Sequence, residues 1–292
     1  MASPAEPPVP GVIQPAAEVR GAGGTRSAAT KDMISHGLRP VIQAKTPPPS
    51  VYAAPIRALR SIEAAGREAV ALARQAVLFH RDVTVVLPRA RAGDDVVVFV
   101  HGLFATAGVL RPLRAQLEEQ TGARTATFSY LPGPSIERIA ERLRELVSAL
   151  PDGVRIHLLG HSIGGLVSRW FVQELGGDPR VVQTISLGTP FAGTSRARLF
   201  PAPVGRDIVP GSWLLRRLER RASGGVPHCS IAGADDQIVP SGALFSGGEG
   251  LVIQGCGHNG LLYHPLTLAT VVRKVRRVQA AAAACDAWSH VG

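Results

Sequence analysis

The chain has 292 residues, 45% of them apolar, enough for one large domain or two small ones around a sizeable core. Its 32 Lys and Arg against 22 Asp and Glu give a formal charge of +10, and arginine carries most of it, because Lys31, Lys45 and Lys274 are the only lysines. Arginine suits carboxylates, phosphates and anionic headgroups, but no nucleic-acid recognition motif accompanies the charge, so binding of DNA or RNA is not expected.

Residues 1–50 hold nine of the 23 prolines and sustain no hydrophobic period, which predicts a Pro/Ala/Gly-rich tail without fixed structure. Between 55 and 79, Ile56, Leu59, Ile62, Ala65, Ala69, Leu72, Ala76 and Phe79 recur every three or four residues, with arginines at 57, 60, 67 and 74 mostly on other faces. This is an amphipathic helix, and packing on the main domain is its commoner fate, a basic membrane-surface anchor the other. With a lead-in strand at 83–87 it makes up a segment 51–92. Further β-branched runs at 96–100, 124–130, 154–159, 181–187, 229–232 and 251–254 alternate with helical periodicity at 111–120, 135–150, 166–175 and 265–284. VVVFV and VRIHLLG are nearly continuous apolar runs, as in strands covered on both faces. The expectation is an α/β architecture, a mostly parallel sheet flanked by helices. Residues 190–227 break the alternation and carry seven arginines against Asp207 and Glu219, which reads as an insertion over the sheet. Residues 286–292 read as a short tail.

Gly160-His161-Ser162-Ile163-Gly164 lies between the strand VRIHLL and the next helical pattern. A serine on such a turn is held at a strained backbone position with its hydroxyl proud of the sheet, and the glycines let strand and helix approach. A serine hydroxyl is a weak nucleophile at neutral pH, so it needs a histidine base and a carboxylate behind it. Both should follow the serine in sequence and emerge at the carboxyl ends of strands. Asp235 and Asp236 in GADDQIVP, and His258 in GCGHNG, meet that condition. Spacing alone leaves the two aspartates open. Of the nine histidines, His161 is expected to point elsewhere on its tight turn, His228 begins a strand at the wrong end, and His264 precedes a proline. Acyl transfer also needs donors for a developing oxyanion; the N–H groups of Ile163, after the serine, and of Leu103, after VVVFVHG, are assigned.

Cys229, Cys256 and Cys285 are too few for a disulfide framework. Cys229 begins its strand and Cys256 ends the next, so the two are expected at opposite sheet edges, unbridged. Neither zinc-ligand spacing nor a phosphate-binding loop is present, so no metal and no other cofactor is expected. No apolar run reaches membrane-helix length and the first residues lack a secretory leader, which makes a cytoplasmic location the expectation, with peripheral contact to an anionic membrane surface open.

VFVHGL, GHSIGG, SLGTPFAGT, DIVPGSWL, GADDQIVP and GCGHNGLL occur in this order, and together they resemble the α/β-hydrolase superfamily, in particular compact bacterial triacylglycerol lipases and esterases. The resemblance covers about residues 94–284 and implies a catalytic domain over 93–285 with a small cap or lid at 190–227. It implies Ser162 as nucleophile, Asp236 as acid, His258 as base, and Leu103 and Ile163 as the oxyanion hole. The implied reaction is hydrolysis of a small-molecule or lipid ester. Phe104, Phe191, Trp213 and Leu214 are the residues expected to bind substrate, with other apolar residues of the insertion, Phe200 and Ile208 among them, lining an acyl pocket. An acyltransferase or thioesterase with the same triad, and a non-catalytic binding protein on the same fold, remain as alternatives.

Overall fold

Every residue of β1 (Asp95–Val100) is buried, as its unbroken apolar run requires. The computed structural model describes residues 53–220, 225–239, 244–245 and 247–289, with side chains from 63 to 285; the tail expected over 1–50 lies outside them. Five further strands, β2 (Arg124–Phe128), β3 (Arg155–His161), β4 (Val181–Leu187), β5 (His228–Gly233) and β6 (Glu249–Ile253), complete a sheet ordered β2-β1-β3-β4-β5-β6. All of its strand pairs are parallel. The helices are α1 (Ala53–Leu78), α2 (Arg111–Thr121), α3 (Ile136–Ser148), α4 (Ile163–Glu174), α5 (Pro203–Asp207), α6 (Trp213–Arg220) and α7 (Pro265–Ser289).

Alternate residues of the central strands supply two cores. Val96, Val98, Val100, Ile156 and Leu158 pack with side chains of α3, α4 and α6, while Val97, Phe99, Leu159, Ile185 and Ile231 pack with those of α2 and α7. Each such burial is worth about 2 kcal/mol. The sheet turns from β1 outward to β2 and then back past β1 to β3, so the loops after β1 and β3 diverge and leave a crevice at the carboxyl edge. The register pairs Val100 with Gly160, which sets His101-Gly102-Leu103 beside His161-Ser162-Ile163.

At the opposite edge Asp95 accepts a two-pronged hydrogen bond from Arg155 (3.0 and 2.7 Å) and one from His157 Nε2 (2.8 Å), whose Nδ1 accepts from Gln183 (2.7 Å). Burial would raise the Asp95 carboxyl, but these hydrogen bonds and the neighbouring positive charge bring it from 3.8 down to about 2. A depressed carboxyl contributes stability that is complete above the unfolded value and disappears as pH falls through the folded one. Asp95→Asn is therefore expected to lower unfolding free energy by about 2 kcal/mol at pH 7 and by roughly half that at pH 3. Urea titrations at the two pH values measure this; an equal loss at both would contradict it.

Residues 83–87 do not form a strand. Val86 alone bridges Thr127 in antiparallel fashion, while Val83, Val85 and Leu87 stay exposed, so no core face rewards longer pairing, and Pro88 lacks a donor. The helix expected to end near 284 continues through Ser289. The 190–227 segment contains a 3-10 turn (Ser195–Leu199), α5 and α6. Cys229 and Cys256 are buried and unbridged, and burial chiefly pushes the Cys256 thiol up to about 12. No described helix is long and apolar enough to cross a membrane.

Candidate active site

Ser162 sits between β3 and α4 with φ 54° and ψ −124°, a conformation that costs about 1–3 kcal/mol and persists only where the surroundings impose it. They do. Its N–H donates to Leu187 O (2.8 Å), and its carbonyl accepts from Thr189 Oγ1 (2.9 Å) and Gly165 N–H (3.1 Å). Close approach depends on two glycines: a Cβ on Gly160 would stand 2.2 Å from the Gly164 backbone, and one on Gly164 would stand 2.2 Å from Val100 O. The glycines of the sequence motif thus fit strand, turn and helix together.

Of the two aspartates left open by spacing, Asp236 carries the bond to His258. Its Oδ2 accepts from His258 Nδ1 (2.7 Å), while its Oδ1 accepts from the N–H groups of Ile238 (2.8 Å) and Val239 (2.7 Å). Asp235 instead accepts from Gly255 N–H (2.9 Å) and secures the following turn. With Nδ1–H donated to Asp236, His258 keeps the Nε2 lone pair free to take a proton. Ser162 and His258 line one cavity of about 420 Å³, and the serine hydroxyl makes no hydrogen bond to a described residue. Such contacts are commonly loose before substrate binds.

Leu103 and Ile163 line the same cavity. Ile163 opens α4, where helix N–H groups lack partners inside the helix. The Leu103 N–H is aimed indirectly by His101: its Nδ1–H donates to Gly102 O (2.7 Å), and across a trans peptide the next N–H points the opposite way. His101 Nε2 in turn accepts from Tyr130 N–H (3.1 Å), and its ring stacks on Tyr130 at 3.9 Å. Burial lowers the His101 imidazole to about 4, keeping it neutral in this role.

His161 does not point away from the site. Its ring packs 4.8 Å from that of His258, and its Nε2–H donates to the His258 carbonyl (3.2 Å). Burial, with the neighbouring His258 next in effect, lowers its imidazole to about 3. The tight turn swings this side chain against His258.

Among the residues expected to bind substrate, Phe104 lines the cavity, 60% exposed and edge-on to Phe200. The other three belong elsewhere. Phe191 packs against the rings of His228 and Phe245, Trp213 lies against Trp170, and Leu214 is 2% exposed in the core beneath α6. The amphipathic α6 turns its apolar side to α4, so it covers the scaffold and not the crevice. The cavity wall comes instead from Phe200, Ala197, Ile208 and Thr194 of the insertion and from Leu72 and Gln75 of α1. Periodicity announced an α1 that packs on something; that its partner is the crevice lined by Ser162 and His258 left no mark in the pattern. Among the described residues, no three His, Cys, Asp or Glu side chains gather in a way that could hold a metal.

Residues 90–220 match a family model described as "Putative serine esterase (DUF676)". The mature form of the Bacillus licheniformis lipase BlEst2 superposes with a TM-score of 0.55 at 17% identity, over 65% of this chain and 96% of that one. A Paleococcus ferrophilus monoacylglycerol lipase gives 0.50 at 16% identity, over 67% and 99%. A structure from work on carboxylesterases of Nitrososphaera gargenis gives 0.50 at 15%, over 66% and 93%. At these identities the likeness is one of fold.

Proposed function

Since the chain has the α/β-hydrolase fold, we propose that it is a serine hydrolase of carboxylic esters with apolar acyl groups, lipid or fatty-acyl esters among them. The observation that carries this reading is the Asp236–His258 hydrogen bond at the wall of the cavity that Ser162 also lines. Ser162 Oγ attacks the ester carbonyl as His258 Nε2 takes its proton. The resulting oxyanion is held by the N–H groups of Leu103 and Ile163, each worth about 3 kcal/mol in the transition state. The ester C–O bond then breaks, the imidazolium returns the proton to the departing alcohol, and the acyl group stays on Ser162. Water, deprotonated by the same Nε2, releases the acid and restores the serine. Asp236 keeps the imidazole in the required tautomer and stabilises its charged form.

A volume of about 420 Å³ walled by Leu103, Phe104, Phe200, Ile208 and Val239 suits an apolar acyl chain. Exposed Leu72 and Phe104 at the cavity, with Arg196 beside them, suit contact with an anionic lipid surface. The test is hydrolysis of p-nitrophenyl esters from acetate to palmitate by the wild type, Ser162→Ala and Ile208→Asp. Ser162→Ala should lose about 10⁴-fold or more in rate and should resist a fluorophosphonate that labels the wild type. Ile208→Asp should raise KM for long chains far more than for acetate. A wild type that neither labels nor cleaves any ester would end the hydrolase reading.

A further inference from the structure

α1 precedes the 90–220 span of the family model, yet it grips the loop that carries His258. Arg67 Nη1–H donates to Gly255 O (3.0 Å), and Gln75 Nε2–H donates to Asn259 Oδ1 (2.8 Å). Between these, the half-buried Glu68 takes three hydrogen bonds. Its Oε1 accepts from the Asn259 N–H (2.9 Å) and Nδ2–H (2.7 Å), and its Oε2 from the Gly260 N–H (2.9 Å). On the other side of His258 the same carboxylate lies so near Gly257 that a Cβ there would stand 2.5 Å from Oε2. One side chain therefore bounds the residues before and after the base. The far end of α1 is docked on the loop following the Leu103 turn, where Thr106 Oγ1 donates to Phe79 O (2.7 Å) and a Cβ on Gly108 would meet Leu78 O at 2.2 Å. The helix thus ties together the two loops that supply base and oxyanion donor.

We propose that Glu68 is a positioning residue of this site, holding the 257–260 loop so that the His258 imidazole spans Asp236 and Ser162; the proposal rests on the hydrolase reading above. A carboxylate receiving three N–H groups makes charge-assisted bonds about twice as strong as neutral ones. Without it, the loop loses its hold on the two residues that follow His258, and the Asp236–His258 bond is left to hold the imidazole alone. Displacement of a catalytic group by about 1 Å can cost 100-fold in rate, so the side chain matters through geometry and not through contact with substrate.

The experiment compares full-length wild type, Glu68→Ala and Glu68→Gln in three readouts: kcat and KM on p-nitrophenyl butyrate, the NMR signal of the His258 Nδ1–H proton, and thermal unfolding. Glu68→Ala should lower kcat by about 10- to 100-fold with KM within about twofold, and should broaden or abolish the Nδ1–H signal. Glu68→Gln keeps an oxygen for Asn259 but sets an amide N–H against that of Gly260, so its kcat should fall between the two. A Glu68→Ala protein that melts earlier while retaining wild-type kcat and the Nδ1–H signal would reduce Glu68 to a helix-docking contact and overturn the proposal. If that variant fails to fold, a folded Glu68→Gln with wild-type kcat overturns it equally. Should the wild type cleave no ester and resist the phosphonate, the hydrolase reading fails by itself, and the Nδ1–H signal then decides whether Glu68 orders His258.

Discussion

Asp236→Asn is expected to cut kcat for ester hydrolysis by about 10⁴-fold with little change in KM or folding. The reason lies in how the carboxylate is used. Oδ1 already accepts from two backbone N–H groups, those of Ile238 and Val239, so the single oxygen of an asparagine must remain there. The amide nitrogen is then forced to face His258 Nδ1, where Asp236 Oδ2 now accepts. Donor would confront donor unless the imidazole moved its proton to Nε2, and a protonated Nε2 cannot take the proton of Ser162. The fold should survive because the two backbone hydrogen bonds do. Steady-state kinetics together with the rate of fluorophosphonate labelling test this; a variant within about tenfold of the wild type in both would remove Asp236 from the mechanism.

Acid should unfold the protein well above the pH at which ordinary carboxylates titrate. His101, His161 and His228 are buried, and burial is the main reason their imidazoles fall to about 4, 3 and 3. For His228 the Arg169 guanidinium adds to this, and the ring is engaged by Thr184 (2.7 Å), Ser230 (3.1 Å) and Ser186 (3.2 Å). The unfolded chain takes up protons near the ordinary value of 6.5, whereas the folded chain refuses them until far lower pH. The stability held by neutral imidazoles is therefore complete above pH 6.5 and declines as pH falls toward the folded values. At pH 4.5 each contributes a loss of about 2–3 kcal/mol, and the three together rival the entire stability of a typical domain. Urea unfolding free energies should drop steeply between pH 6.5 and 4.5, with about three protons taken up on unfolding near pH 5. A curve that stays flat to pH 4.5 would show that these rings are not held neutral.

Most strand and helix identities were legible because they depend on local period and burial: VVVFV reads as a covered strand in any surroundings, whereas the β-branched run at 83–87 had no core face to hold it and makes only one bridge. The elbow at Ser162 was legible too, since glycine at 160 and 164 answers a short-range steric demand. Spacing alone could not choose between Asp235 and Asp236, because adjacent residues differ in direction rather than in spacing; the β5 turn directs one to Gly255 and the other to His258. Nor could it assign the cavity wall. Phe191, Trp213 and Leu214 have the same apolar character as Phe200 and Ile208, and only packing decides which of them face the crevice. Glu68 reads in sequence as one more charge on an amphipathic helix. Its hold on the His258 loop, about 190 residues later in the chain, exists only once tertiary packing sets the helix against the rim of the sheet, because hydrogen-bond partners remote in sequence leave no periodic trace in either segment.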